Sequence, residues 1–179
     1  MLHRSDYVQG GIPLVNPIGI VDSRIVALDR MRVSEKTRSR LLPYVLRAGD
    51  IVIARRGELG RCAVVTENEE GWLCGTGSFF LRVNGLADKD YVAAVLRSAS
   101  GRQWLDANGI GATLKNLNHE ILARMPIPVP PVQAQRSIMA KLRLLQARVG
   151  SLELNLQRKL AALDELKKAL LHEAFNGRL

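Results

Sequence analysis

Near the end of the chain, Leu142, Val149, Leu156, Leu163 and Leu170 recur every seven residues. Four residues ahead of each stand Ile138, Leu145, Leu152, Lys159 and Leu166. These are the two core positions of a heptad kept for about five repeats, with Lys159 alone out of pattern. The spacing predicts one helix over about 133–175. No proline interrupts it, Gly150 is its one weak point, and Asn176-Gly177 supplies a stop. At ~1.5 Å per residue it would be about 60 Å long. The roughly 125 residues before it make one ordinary domain, too small to cover such a length. A second helix is therefore expected along the stripe, from a second copy or another protein; a lone core helix is the alternative.

The region 1–125 alternates short apolar runs with Gly, Asn and Asp, the pattern of strands and turns with a few helices. Gly10-Gly11-Ile12-Pro13-Leu14-Val15 reads as a turn entering a strand. Ile51-Val52-Ile53-Ala54 and Cys62-Ala63-Val64-Val65 read as a hairpin whose tip, Arg55 to Arg61, carries three arginines. Gly75-Thr76-Gly77-Ser78 leads into a strand at Phe79-Phe80-Leu81-Arg82-Val83, and Asp90 to Leu105 has helical spacing. Met125-Pro126-Ile127-Pro128-Val129-Pro130-Pro131 is a stiff, extended linker, since alternate prolines suit neither a helix nor a ladder. The expected class is α+β. A globular mixed α/β domain with a twisted sheet occupies 1–131 and ends in the linker 125–131; one long coiled-coil-forming helix occupies 132–179.

Hydrophobic residues make up 47% of the chain and charged ones 24%, the balance of a folded protein. No apolar run approaches the ~18 residues of a membrane span, and the opening residues are not those of a signal peptide. No membrane association and a cytoplasmic location are expected, with Cys62 and Cys74 as free thiols. The net charge of +9 is unevenly spread. Residues 1–61 hold 11 Lys/Arg against 6 Asp/Glu and residues 134–179 hold 9 against 4, while the middle holds 6 against 7. Two basic blocks rich in arginine suggest a polyanion partner without naming it.

Motifs for catalysis are not evident. The one close acidic cluster, Glu67-Asn68-Glu69-Glu70, reads as a solvated turn, and no Asp…Glu-x-Lys pattern follows a strand. Asn16-Pro17-Ile18-Gly19 shares two letters with the Asn/Asp-Pro-Pro-aromatic motif of adenine methyltransferases but lacks the second proline and the ring. A GxxxxGK[ST] phosphate loop is absent, and His3, His119 and His172 are too scattered to suggest a triad or a metal site. Any chemistry is expected from a partner, with no catalytic residue, metal or cofactor in this chain.

Several passages in order along the chain resemble the specificity subunits of type I restriction–modification systems. Gly10-Gly11-Ile12-Pro13 resembles that family's G-G-I-P strand entry. Leu46 to Gly60 is similar to its L-x-x-G-D-I-L-x-x-R-x-G-x-x-G stretch. Gly111 to Leu117, then Ile121 to Pro131, resemble G-x-T-x-x-x-L…I-P-x-P-P. Pro130-Pro131-Val132-Gln133-Ala134-Gln135 matches the P-P-L-x-E-Q opening of the family's long helix except at Ala134, and Leu170 to Leu179 resembles its L-L-x-x-A-F-x-G-x-L close. Each passage is weak alone; in this order they are specific. Full members carry two recognition domains and two long helices packed antiparallel, whereas this sequence has one of each and begins close to the G-G-I-P strand. It resembles a half-size subunit, natural or trimmed, which would supply its second helix by dimerising.

The resemblance implies double-stranded DNA as ligand, methyltransferase subunits using S-adenosylmethionine, and restriction subunits using ATP and Mg²⁺. It implies a bipartite target for adenine methylation and restriction, with a homodimer and methyltransferase docking through the long helix. Arg55, Arg56 and Arg61 at the hairpin tip are the first DNA candidates, Arg55 with an equally open structural role. Lys115, Asn116, Asn118 and His119 form the second group: Asn can read adenine bidentately and Lys can meet guanine or phosphate, while helix capping by Asn118 is an equal alternative. Arg32, Lys36 and Arg38, within a basic run that also holds Arg30 and Arg40, form the third, with a solvated helix face as the competing reading. Arg143, Arg148, Lys167 and Lys168 lie off the helix stripe, where solubility is the default role. Two other functions compete: a stand-alone coiled-coil DNA-binding regulator, and the recognition end of a fused restriction–methyltransferase polypeptide.

Overall fold

A computed structural model describes residues 2–112 and 114–176. It divides into two compact units, Met1–Arg136 and Ser137–Leu179. The first is α+β. In chain order it contains β1 (Tyr7–Val15), β2 (Ile20–Val21), β3 (Arg24–Ile25), β4 (Arg32–Val33), α1 (Glu35–Arg40), β5 (Ile51–Ala54), β6 (Cys62–Val64), β7 (Leu73–Cys74), β8 (Ser78–Leu81), α2 (Lys89–Arg97), α3 (Ala99–Asn108) and α4 (His119–Ala123). The long helix α5 runs Val132–Phe175.

The expected single sheet is divided into three small ones: β4-β1-β7, the hairpin β2-β3, and β6-β5-β8. Within the first of these, Tyr7 and Ile12 of β1 both face Val33 across a register break. The extra residues between them take left-handed backbone at Gly10 (φ 81°) and Gly11 (φ 94°). A Cβ on Gly11 would lie 2.6 Å from the Val33 carbonyl oxygen, so this bulge needs glycine. The Gly-Gly of the sequence pattern thereby acquires a physical reason.

β5 is central and buried on both faces, which is why it reads as an unbroken apolar run rather than an alternation. Ile51 and Ile53 join Leu96, Leu105, Leu117 and Ile121 in a core under the helices. Val52 faces the other way, into a second core with Ala63, Val65 and Leu46. A third cluster, Leu14, Val33, Leu41 and Leu73, lies about β1. The expected helix from Asp90 to Leu105 is two helices. Ser98 adopts extended backbone (ψ 159°); its hydroxyl donates to the Val95 carbonyl at 2.7 Å and accepts from the Gly101 N–H at 3.0 Å. It thus stops α2 and caps α3, a local bond that outcompetes helix continuation.

Two buried polar residues fasten the fold. Asp50 is 1% exposed and accepts from Arg82 Nε and Nη2, both at 2.7 Å, and from the Arg47 N–H at 2.9 Å. Gln135 is fully buried. Its amide nitrogen donates to the carbonyls of Pro130 at 2.7 Å and Leu86 at 3.1 Å, and its oxygen accepts from the Asp88 N–H at 2.8 Å. Tyr91 donates to the Pro128 carbonyl at 3.1 Å. The proline linker, which has few donors of its own, is held by side chains that supply them.

In the second unit, every side chain described from Ala140 to Asn176 is exposed. Leu145, Val149, Leu152, Leu156, Leu163, Leu166 and Leu170 are each 49–62% exposed. Lys168 pairs with Glu165 at 2.7 Å, one turn apart. The Gly177-Arg178-Leu179 end of the closing motif, its stop glycine included, lies outside the described residues, as does Thr113 of the Gly-x-Thr passage. Among the described residues no helix is long and apolar enough to cross a membrane.

Candidate nucleic-acid interface

The β5–β6 loop is built around one anchor. Leu59 is 2% exposed and joins the helical core, while Arg56, Gly57 and Glu58 around it stay outside. Gly60 has φ 85°, and a Cβ there would meet Arg102 Cγ at 2.7 Å and the Leu96 carbonyl at 3.1 Å. Conformation and space both exclude a larger residue. The loop ends are tied by backbone bonds: Arg55 N–H to Gly77 O at 3.0 Å, Leu117 N–H to Arg55 O at 2.8 Å and Ala54 N–H to Arg61 O at 2.8 Å.

The polar run after Gly111 comes back to this loop. Asn116 exchanges reciprocal backbone bonds with Ile110 at 2.8 and 3.0 Å and forms a bridge with Arg56. Arg55 Nε donates to Asn116 Oδ1 at 3.2 Å, and its guanidinium lies 4.7 Å from the Phe79 ring centroid. His119 packs against the same ring, tilted by 39° with the centroids 4.3 Å apart. Lys115 Nζ donates to the Asp106 carbonyl. Asn118 caps α4, accepting from the Ile121 N–H at 2.8 Å, so its side-chain oxygen has the capping role.

Six candidates from two separate stretches, Arg55, Arg56, Lys115, Asn116, Asn118 and His119, thus form one neighbourhood. Within it the two readings of Arg55 coexist: one donor and the cation–π contact fix the guanidinium, and a fixed fork is pre-organised for an acceptor. Arg61 stands apart at the far end of the loop. Its Nη2 pairs with Glu58 at 2.6 Å and its Nη1 donates to the Pro17 carbonyl at 3.4 Å. The Arg61 hydrogen bond, then its charge, holds the Glu58 carboxyl below its ordinary range.

The third group does not join this neighbourhood. Arg32 donates to the Gly11 carbonyl at 3.1 Å and pairs with Asp29 at 3.2 Å. Arg38 pairs with Glu35 at 2.7 Å and donates to the Gly71 carbonyl at 3.1 Å; Arg40 pairs with Asp6 at 2.7 Å. Lys36 stands between them on α1, exposed. Asn16 of the Asn-Pro pair accepts from the Gly77 N–H at 3.2 Å and so buttresses the turn before β8. Both cysteines are buried and free; burial pushes the thiol of Cys62 up to about 11 and that of Cys74 to about 12, which leaves them unreactive. Among the described residues no group of three or more His, Cys, Asp or Glu could hold a metal ion. Phe79, Arg97 and Arg102 escape sequence reasoning because no motif or spacing links them to the loop they meet.

A small α+β domain with a glycine-shaped bulge in β1 and a basic loop pinned at Gly60, followed by a long helix, matches one family across most of the chain. The type I restriction modification DNA specificity domain matches residues 7–161, and the chain belongs to that family. It is 22% identical over 174 residues to the type I restriction enzyme EcoBI specificity subunit of Escherichia coli, covering 97% of this chain and 37% of that one. To the EcoKI specificity subunit of Escherichia coli (strain K12) it is 30% identical over 135 residues, covering 73% and 29%. The fold matches a chain from a structure of type I R-M complex assembly and conformational transition (TM-score 0.74, 24% identity, 100% of this chain and 42% of that one). It also matches the HsdS subunit from Thermoanaerobacter tengcongensis (TM-score 0.63, 22% identity, 79% and 37%). The chain spans 29–42% of the length of these relatives.

Proposed function

We propose that this chain is a sequence-specific DNA-recognition subunit of a type I restriction–modification complex, without catalysis of its own. The observation that carries the reading is the match to the specificity domain over residues 7–161, together with a loop neighbourhood that gathers Arg55, Arg56, Lys115, Asn116 and His119. Such donors suit base edges and phosphates. Methyltransferase subunits would bring S-adenosylmethionine, and restriction subunits ATP and Mg²⁺, to a site in the cytoplasm. The exposed leucines of α5 favour a homodimer through antiparallel helices, which would place two copies of the domain on a two-fold, bipartite target. Helix length would then set the spacer.

The test is co-expression with the methyltransferase subunit, co-purification, and mapping of methylated adenines in the host DNA. A stable complex that methylates a bipartite, inverted-repeat site is expected. Tight DNA binding without any such complex would favour a stand-alone regulator, and no complex with no dimer would overturn the proposal.

A further inference from the structure

Arg61, Arg97 and Arg102 line one cavity of about 510 Å³. They come from three elements: the β5–β6 loop, the last residue of α2 and the first turns of α3. Glu58 and the β2–β3 turn, Asp22-Ser23, complete its rim. We infer that this cavity seats a backbone phosphate of double-stranded DNA, with Arg97 and Arg102 as its donors beside the base-reading loop. The inference rests on the DNA-recognition reading and extends its footprint to residues outside every family passage.

The charge balance favours an anion. Glu58 is occupied by Arg61 at 2.6 Å, so those two offset one another. Arg102 adds its own weaker charge attraction to Glu58, and the lining as a whole holds Arg61, Arg97 and Arg102 against Glu58 and Asp22. Arg97 and Arg102 are both positioned. Arg97 is half-buried and donates one N–H to the Cys62 carbonyl at 3.4 Å. The Arg102 stem occupies the space left by the missing side chain of Gly60, while its head is exposed. A held stem with a free guanidinium fork is the arrangement that meets phosphate oxygens bidentately at low entropic cost. The opposite wall is a two-residue hairpin, Ile20 opposite Ile25 and Val21 opposite Arg24. Its turn places two consecutive non-glycine residues in left-handed backbone, Asp22 at φ 48° and Ser23 at φ 63°. This is the type I′ turn that a two-residue hairpin favours, and it sets the shape of that wall. Finally, the cavity shares Glu58, Gly60 and Arg61 with the loop that carries Arg55 and Arg56, so a duplex read by that loop would run past it.

The full chain and a random-sequence duplex of about 30 base pairs test this by salt titration. Each phosphate contact contributes a slope of about −0.9 to log K against log salt. Arg97→Gln with Arg102→Gln removes that one phosphate contact and should flatten the slope by about 0.9, so that the affinity lost between about 50 and 200 mM salt is roughly three- to fourfold smaller than for the wild type. Arg102→Gln alone, at an exposed position, should give half that change with an unaltered melting temperature. Methylated-site preference should not move, because a phosphate contact carries no sequence information. Wild-type binding with unchanged slopes in both variants would overturn the inference and leave the recognition reading intact. A wild type that binds no duplex, either alone or with the methyltransferase subunit, would overturn both. Stabilisation by inorganic phosphate that depends on the two arginines, with unchanged DNA slopes, would assign the cavity to a free anion and overturn it as well.

Discussion

The two units treat their apolar residues in opposite ways. In the first, Ile51, Val52, Ile53, Leu96 and Leu105 are all at most 1% exposed, and the buried carboxylate of Asp50 and the amide of Gln135 are hydrogen-bonded. In the second, an equally regular set of leucines stands about half exposed along α5. The difference teaches where the free energy of each unit resides. The first holds its own, and its sites can be argued from internal contacts. The second presents an apolar stripe that gains its stabilisation, ~1.5–3 kcal/mol for each leucine fully buried, only against another surface.

The contrast breaks most visibly if the stripe is charged. Leu156→Glu with Leu163→Glu is expected to leave the melting of the first unit unchanged and to weaken dimerisation about a thousandfold or more, some 4 kcal/mol. Sedimentation over a concentration series measures this; a mass that never exceeded the monomer in the wild type would remove the premise. Inside the first unit the largest effect is expected at the buried carboxylate. Arg82→Met leaves Asp50 buried and unpaired, at a cost of about 3–5 kcal/mol, and should lower the melting temperature by roughly 10 °C. An unchanged melting curve would mean that Asp50 finds water or another donor.

A smaller loss is expected where the linker is fastened. Gln135→Ala leaves the Asp88 N–H and two carbonyls without their partner, about 2–3 kcal/mol in all. Urea unfolding of the variant should show a lower midpoint, and hydrogen exchange at Asp88 should quicken. The smallest effect concerns the thiols. In the fold they stay protonated to about 11 and 12, while in the unfolded chain they ionise near the ordinary 9.0. Between these values the unfolded state binds fewer protons, so stability falls as pH rises above about 9 and is untouched below it. At pH 10 each thiol contributes about 1 kcal/mol to that fall. Cys62→Ala with Cys74→Ala should shrink the drop in urea midpoint between pH 8 and pH 10, and an equal drop in both proteins would assign it to other groups.

Much of the architecture was legible because the signals are local. Ile51–Ala54 and Cys62–Val64 are apolar runs between turn residues, and α5 follows from its period and the lack of proline. The break between α2 and α3 was not legible, since the spacing of apolar residues continues across Ser98 and only the hydroxyl's bonds reveal the stop. In the site, Arg55 and Asn116 are each candidates by sequence, yet nothing in the sequence joins residues 61 positions apart. Asn118 shows the converse: of two open roles, capping is the one its geometry fills.

By itself the sequence determined the hairpin with its arginine tip, the stiff proline linker and the long apolar stripe, because periodicity and backbone restriction act over a few residues. Tertiary structure alone decided that Asn116 meets Arg55, that Asp50 is held by Arg82 and that Arg97 and Arg102 share a cavity with Arg61. Those pairings depend on how the β6-β5-β8 sheet and the helices pack, through contacts between residues far apart in the chain that leave no local periodicity behind.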